Sequence, residues 1–122
     1  RLREEAGART RAARGTSVTL AKPLRSAADL ARAFQDRTAT IGVIGLGYVG
    51  LPLSLAAAEA RFPVLGFDIN AERVARINAG EAVVKHIPGE RMRAAREKAR
   101  FEATADFLRL AEADAILICV PT

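Results

Sequence analysis

The 122-residue chain contains no tryptophan and only one each of cysteine, histidine, tyrosine and methionine. A single cysteine gives no disulfide framework and fits a reducing compartment. His86 and Cys119 stand 33 positions apart, so no metal-binding constellation can be read from them. Long apolar runs are missing too. A membrane span needs about 20 such residues, and the longest candidate, Ala115 to Val120, is only of strand length. The N-terminus has no apolar core of the kind a secretory signal carries. The expected location is therefore cytoplasmic, with no membrane partner.

Acidic balance is also lacking in the leading segment. Residues 1–40 hold nine Lys/Arg against four Asp/Glu, a surplus equal to the whole net charge of +5. Residues 41–122 hold ten of each. A basic arm raises the question of polyanion binding, but no aromatic residue interleaves its first 19 positions for base stacking. A solvated extension is the plainer reading, and a nucleic-acid partner is not expected. Residues 1–19 are nearly free of large apolar groups and are expected to form a disordered arm. The chain starts on Arg1 and ends on Pro121-Thr122 directly after an apolar strand, which reads as a piece of a longer protein.

Half the residues are hydrophobic and the mean hydropathy is +0.08, which is globular. The length allows one domain at most. Its most informative stretch is 41–68. Ile41-Gly-Val-Ile44 is branched and apolar, as a buried parallel strand requires. Gly45, Gly47 and Gly50 then fit G-x-G-x-x-G. The first glycine permits the tight turn, the second lets a pyrophosphate approach, and the third lets the next helix pack closely. Leu51 to Ala60 is mostly good helix former, with Pro52 in the first turn where its missing N–H costs nothing. Val64, Leu65 and Phe67 form a second buried strand closed by Asp68, 18 residues past Gly50. That spacing suits the acid that accepts from a ribose 2′-hydroxyl and repels a 2′-phosphate, so the cofactor expected is NAD. The alternative for Asp68 is a turn or N-cap acid ahead of the next helix.

Flanking elements follow from caps and periodicity. Ser26 caps a helix to about Asp36. A helix opens at 68–70 and runs through about Asn78, ended by Ala79-Gly80. Residues 81–89 connect to a charged helix over 90–99 that is exposed on most of its surface. Phe101 to Thr104 is a short strand, Ala105 to Ala111 a short helix, and Ala115 to Val120 a buried strand. The alternation β-α-β-α-α-β-α-β implies an α/β fold: a Rossmann-like doubly wound parallel sheet of about four strands, incomplete, with helices on both faces. Residues 1–37 form the N-terminal extension, and residues 38–122 form the first part of the dinucleotide domain.

Four segments together carry a family resemblance: Ile41-Gly-Val-Ile-Gly-Leu-Gly-Tyr-Val-Gly-Leu-Pro-Leu53, Phe67-Asp68, Lys85-His-Ile-Pro88 and Cys119-Val-Pro-Thr122. Over about residues 24–122 the chain resembles the nucleotide-sugar dehydrogenases. It looks most like the branch oxidising UDP-N-acetylhexosamines, since the UDP-glucose branch usually carries a Glu-Pro-Gly-Leu-type loop in place of Lys85 to Pro88. The resemblance implies oxidation of a sugar C6 alcohol to a carboxylate with two NAD⁺, in a homo-oligomer acting on a UDP-sugar. It places Gly45, Gly47, Tyr48, Val49 and Gly50 along the pyrophosphate and Asp68 on the adenosine ribose. Arg73 falls near the adenine end, and Pro121 and Thr122 near the inner part of the cofactor.

Plainer roles stand beside these: Tyr48 as a cover for the turn, Arg73 as a solvated helix residue, His86 as a surface histidine. Cys119 is a small core residue, since the family's reactive cysteine lies in a later glycine-rich motif. The groups that do the chemistry are expected beyond residue 122, so these residues alone are expected to be inactive. Two departures stand out. Arg61 occupies a position after the first helix where the family commonly has glycine, and Ala105 replaces a hydroxyl residue before Asp106-Phe107. A non-catalytic NAD-binding module is the rival reading.

Overall fold

Four strands of four residues, three of them mostly apolar, build the sheet. The computed structural model describes residues 9–11, 17–19, 25–99 and 101–121. In chain order these give β1 (Arg9–Arg11), β2 (Ser17–Thr19), α1 (Ala27–Gln35), β3 (Ile41–Ile44), α2 (Gly50–Glu59), β4 (Val64–Phe67), α3 (Ala71–Asn78), α4 (Gly89–Ala99), β5 (Phe101–Thr104) and β6 (Ala115–Ile118). A 3₁₀ turn over Phe107–Glu112 stands where a short helix is expected. β3 to β6 form one parallel sheet in the order β5-β4-β3-β6. It is the Rossmann-like α/β arrangement expected, with the chain reversing direction across β3.

Period-two alternation assigns the two faces. Ile41, Val43, Val64, Phe101 and Ala103 turn toward α2, α3 and α4. There they meet Leu51, Leu55, Ala58, Val74, Ile77, Met92 and Ala95 in one buried cluster. The opposite face carries the 3₁₀ turn, whose Phe107 ring lies 5.5 Å from that of buried Phe67.

The caps work as the residue types dictate. Ser26 Oγ accepts from the Asp29 N–H, and Gly80 follows α3 at φ 81°. α4 buries Met92 and Ala95 and exposes its charged side. α1 is tied to the end of α2, because Arg37 Nη1 donates to Ala60 O at 2.8 Å while its guanidinium lies over the Phe62 ring.

Two expectations are corrected. Ala115 to Val120 is not a buried strand. β6 ends at Ile118 and lies at the sheet edge, and Ile116, Leu117, Ile118 and Val120 are 42–71% exposed. An apolar run specifies a strand, while burial depends on what lies beside it. Cys119 is accordingly half-buried rather than in the core. Of the arm over residues 1–19, Arg9–Arg11 pairs antiparallel with Ser17–Thr19, and the rest lies outside the described residues. The departure at Arg61 has a backbone consequence: this residue adopts φ 78°, a left-handed conformation that glycine takes without strain.

Candidate functional site

Parallel strands align their C-terminal ends, and the register places Ile44, Phe67, Thr104 and Ile118 in one row. The residues that follow them, Gly45, Asp68, Ala105 and Cys119, therefore share one edge of the sheet, where open α/β sheets bind ligands. The motif residues of the sequence are thus assembled by topology from three separate segments.

Each glycine is required for a different reason. Gly45 sits at φ 98°, and a Cβ there would lie 2.6 Å from the Cys119 carbonyl oxygen. Gly50 faces the turn itself, since its Cβ would collide with the Gly45 carbonyl. Gly47 meets nothing: no heavy atom lies within 4 Å of where its Cβ would stand. Folding accounts for the first two glycines, and no contact within the fold accounts for the third. The N–H groups of Gly47, Tyr48 and Val49 have no protein acceptor among the described residues, and they precede the N-terminus of α2. Unpaired N–H groups beside a helix N-terminus form an anion-binding arrangement.

Asp68 holds the turn from the neighbouring strand. Its Oδ2 accepts from the Leu46 N–H at 2.9 Å and its Oδ1 from the Asn70 N–H at 2.9 Å. A carboxylate offers about four lone-pair positions, so acceptor capacity for a diol is left. Asp68 is a turn acid and not the helix cap, which is Asn70, whose Oδ1 accepts from the Arg73 N–H. Arg73 is not a solvated helix residue: it is half-buried and its Nη1 donates to Leu46 O at 3.2 Å. Tyr48 and Val49 are 75% and 60% exposed, beside the open turn. Pro121 is exposed at the same edge, and Thr122 lies outside the described residues. His86 is exposed in the 81–88 connection, which Val84 and Ile87 anchor in the core.

These groups fit a dinucleotide: an open glycine for close approach, free N–H donors for phosphate, and an acid one strand away. Among the described residues no group of three His, Cys, Asp or Glu is placed to hold a metal ion. Two surface concavities, about 430 and 400 Å³, open at the opposite end of the sheet. One lies among Glu59, Arg61 and Lys98, the other among Thr38, Glu102 and Arg109, and neither includes a residue of the turn. The glycine turn is an open shelf rather than an enclosed cavity, with Tyr48 and Val49 exposed beside it.

Sequence reasoning missed Leu46 and Gly66. The Leu46 side chain is fully buried against Gly66, where a Cβ would stand 2.8 Å from Leu46 Cδ2. A glycine inside an apolar strand is a signal of such a close approach. The exposed pair Glu59–Arg91, at 2.7 Å, joins α2 to α4. The hydrogen bond from Arg91 holds the Glu59 carboxyl below its ordinary value.

Residues 39–122 match the family described as "UDP-glucose/GDP-mannose dehydrogenase family, NAD binding domain". Over 84 residues the chain is 45% identical to UDP-N-acetyl-D-mannosamine dehydrogenase of Salmonella typhi, covering 68% of this chain and 19% of that protein. Among solved structures, GDP-mannose dehydrogenase from Pseudomonas aeruginosa superposes with a TM-score of 0.61 at 29% identity, over 67% of this chain and 19% of that one. UDP-D-ManNAc dehydrogenase from Pyrococcus horikoshii gives 0.59 at 32%, over 66% and 20%. The chain thus spans about a fifth of the length of the curated relatives it matches.

Proposed function

This chain belongs to the UDP-glucose/GDP-mannose dehydrogenase family, and on that premise we propose that it supplies the adenosine and pyrophosphate half of the NAD site in a UDP-N-acetylhexosamine 6-dehydrogenase. The full-length enzyme oxidises the sugar C6 alcohol to a carboxylate, as a cytoplasmic homo-oligomer supplying precursors of surface polysaccharide. Gly45, Gly47, Tyr48, Val49 and Gly50 line the pyrophosphate, Asp68 accepts from the adenosine ribose, Arg73 serves the adenosine side, and Pro121 and Thr122 approach the inner part of the cofactor. Bound NAD⁺ supplies the hydride acceptor. The residues described here bind and orient it and perform no bond-making step, so residues 1–122 alone oxidise no UDP-sugar. Residues 1–37 act as an extension to the dinucleotide domain at 38–122.

The observation that carries this reading is Gly47. Its Cβ position is empty and its backbone conformation is ordinary, so nothing in the fold asks for glycine there. The test is calorimetric titration of NAD⁺ into full-length wild type and Gly47→Val, with melting temperatures recorded for both. The expected result is loss of binding at unchanged melting temperature. Undiminished affinity in the variant sinks the proposal. NADP⁺ should bind more weakly than NAD⁺, because the Asp68 carboxylate repels a 2′-phosphate.

A further inference from the structure

Two arginines fasten the ends of α1 on opposite sides of β3. Before the helix, Arg25 pairs with Asp114, the residue ahead of β6. The Asp114 carboxylate also accepts the Thr40 N–H at 2.7 Å, at the start of β3, and its side chain is only 6% exposed. After the helix, Arg37 Nη1 donates to the carbonyl of Ala60, the C-cap of α2. Its guanidinium lies 5.1 Å from the centroid of the Phe62 ring, just ahead of β4. Between these anchors Ala33 is buried, and the Phe34 ring lies 6.3 Å from that of Phe62. Ile41, Val64 and Ala115 stand in one register row. Residues 25–38 therefore cross the starts of β4, β3 and β6 together.

We propose that residues 25–38 are a strap that docks on the N-terminal end of the sheet and holds the starts of these three strands in line as one unit. Parallel strands share no tight hairpin that would fix their relative position, so alignment at this end depends on what bridges it. Position 37 supports the strap. Arg37 adopts φ 63°, a left-handed conformation unfavourable for a residue with a Cβ. Glycine would take it freely, but lacks the cationic head that reaches the α2 carbonyl and the Phe62 face. The dock and its occupant are complementary. The dock has an apolar centre at Phe62, a carboxylate at one end, and the negative pole of the α2 dipole at the other. The strap is apolar at Ala33 and Phe34 and carries an arginine at each end. The family match begins at residue 39, so the strap lies wholly outside the residues that define the relationship.

The test is hydrogen exchange on the full-length protein with Arg25→Met and Arg37→Met, read at two amides. Ile41 donates to Pro63 O between β3 and β4, and Asp114 donates to Thr40 O between β3 and β6. A strap gives crossed effects. Arg37→Met, which touches only the β4 side, should speed exchange about tenfold at Asp114 as well as at Ile41. Arg25→Met should speed Ile41 as well as Asp114 to the same extent, the scale of one charge-assisted hydrogen bond. Arg25→Lys and Arg37→Lys keep each charge and should show the same crossed pattern at smaller size. They carry the test if a methionine variant does not fold.

Effects confined to the side of each substitution would overturn the strap in favour of two separate local contacts. Exchange unaltered at both amides in every variant would overturn it outright and leave 25–38 as a surface attachment. No ligand is needed, so the outcome is independent of the dinucleotide reading above.

Discussion

The two edges of the sheet are finished differently. On β5 the peptide groups of Ala103 are both satisfied by one side chain: Asn78 Nδ2 donates to Ala103 O at 2.8 Å, and Asn78 Oδ1 accepts the Ala103 N–H at 3.0 Å. The Asn78 amide thus takes the place of a neighbouring strand. Arg96 Nη1 donates to the same Oδ1 at 2.8 Å, fixing its orientation. Glu102 on the same strand is gripped through both oxygens by Arg109. β6 has none of this among the described residues. It leaves Ile116, Leu117 and Ile118 exposed and, among the described residues, pairs with β3 alone. A strand terminated by an amide mimic and charge is protected against further pairing, and an apolar strand with an open side is a template for it. The first edge is closed by the fold itself, and the second invites another strand.

Four perturbations test that contrast. Asn78→Ala strips the closed edge and leaves the Ala103 N–H and C=O without partners. Urea unfolding should report a loss of about 2–3 kcal/mol. A loss below about 0.5 kcal/mol would mean that water replaces the amide and that the edge is not closed by it.

Arg61→Gly touches neither edge and serves as a control. It relieves the left-handed backbone at φ 78° and should stabilise by about 0.5–1 kcal/mol in the same assay, against the entropy glycine adds to the unfolded chain.

Glu59→Gln breaks the α2–α4 pair that supports the helix layer above β5. Both partners are substantially exposed, so the cost at neutral pH should be about 0.3–0.5 kcal/mol. The sign of its pH dependence follows from the depressed Glu59 carboxyl. The contribution is present above the unfolded value of about 4.3 and is lost as the pH falls through the lower folded value. Wild type and variant should therefore converge in acid, and a gap that persists at low pH would exclude the ion pair as its source.

Ile118→Lys at the open edge should change stability by less than about 0.5 kcal/mol, since 71% of the residue is exposed. Its effect should appear in light scattering, where the 122-residue chain carrying lysine should self-associate less than wild type. Equal scattering would show that β6 is not the sticky edge.

Much of this was legible in the sequence because its signals are local. Ser26 and Gly80 act within a few residues, the glycine spacing and the acid at position 68 are recognised from short windows, and the structure puts all of them in the elements anticipated. What was not legible depends on register. Leu46 over Gly66, Arg73 on the Leu46 carbonyl and Asn78 on Ala103 each join residues at least 20 positions apart, and nothing within either partner's own window announces the other. The misjudged burial of β6 has the same origin: Ala115 to Ile118 has the composition of an interior strand, and its exposure depends on which neighbours lie beside it. The 3₁₀ form of 107–112 reflects the Asp106 cap bonding to the Leu108 N–H two residues on, which tightens the turn from its first residue.

Gly47 and Gly50 also differ in how they would be kept over evolutionary time. Every single-nucleotide change that replaces a glycine introduces a Cβ. At position 50 that atom collides with the Gly45 carbonyl, so such a change is removed by misfolding whether or not the protein is used. At position 47 it meets no protein atom within 4 Å, so on the cofactor role proposed above it is removed only while the ligand still needs the space. In a lineage that had ceased to bind the cofactor, position 47 would drift first and position 50 would persist, and an intact Gly47 would mark a copy still under selection for binding.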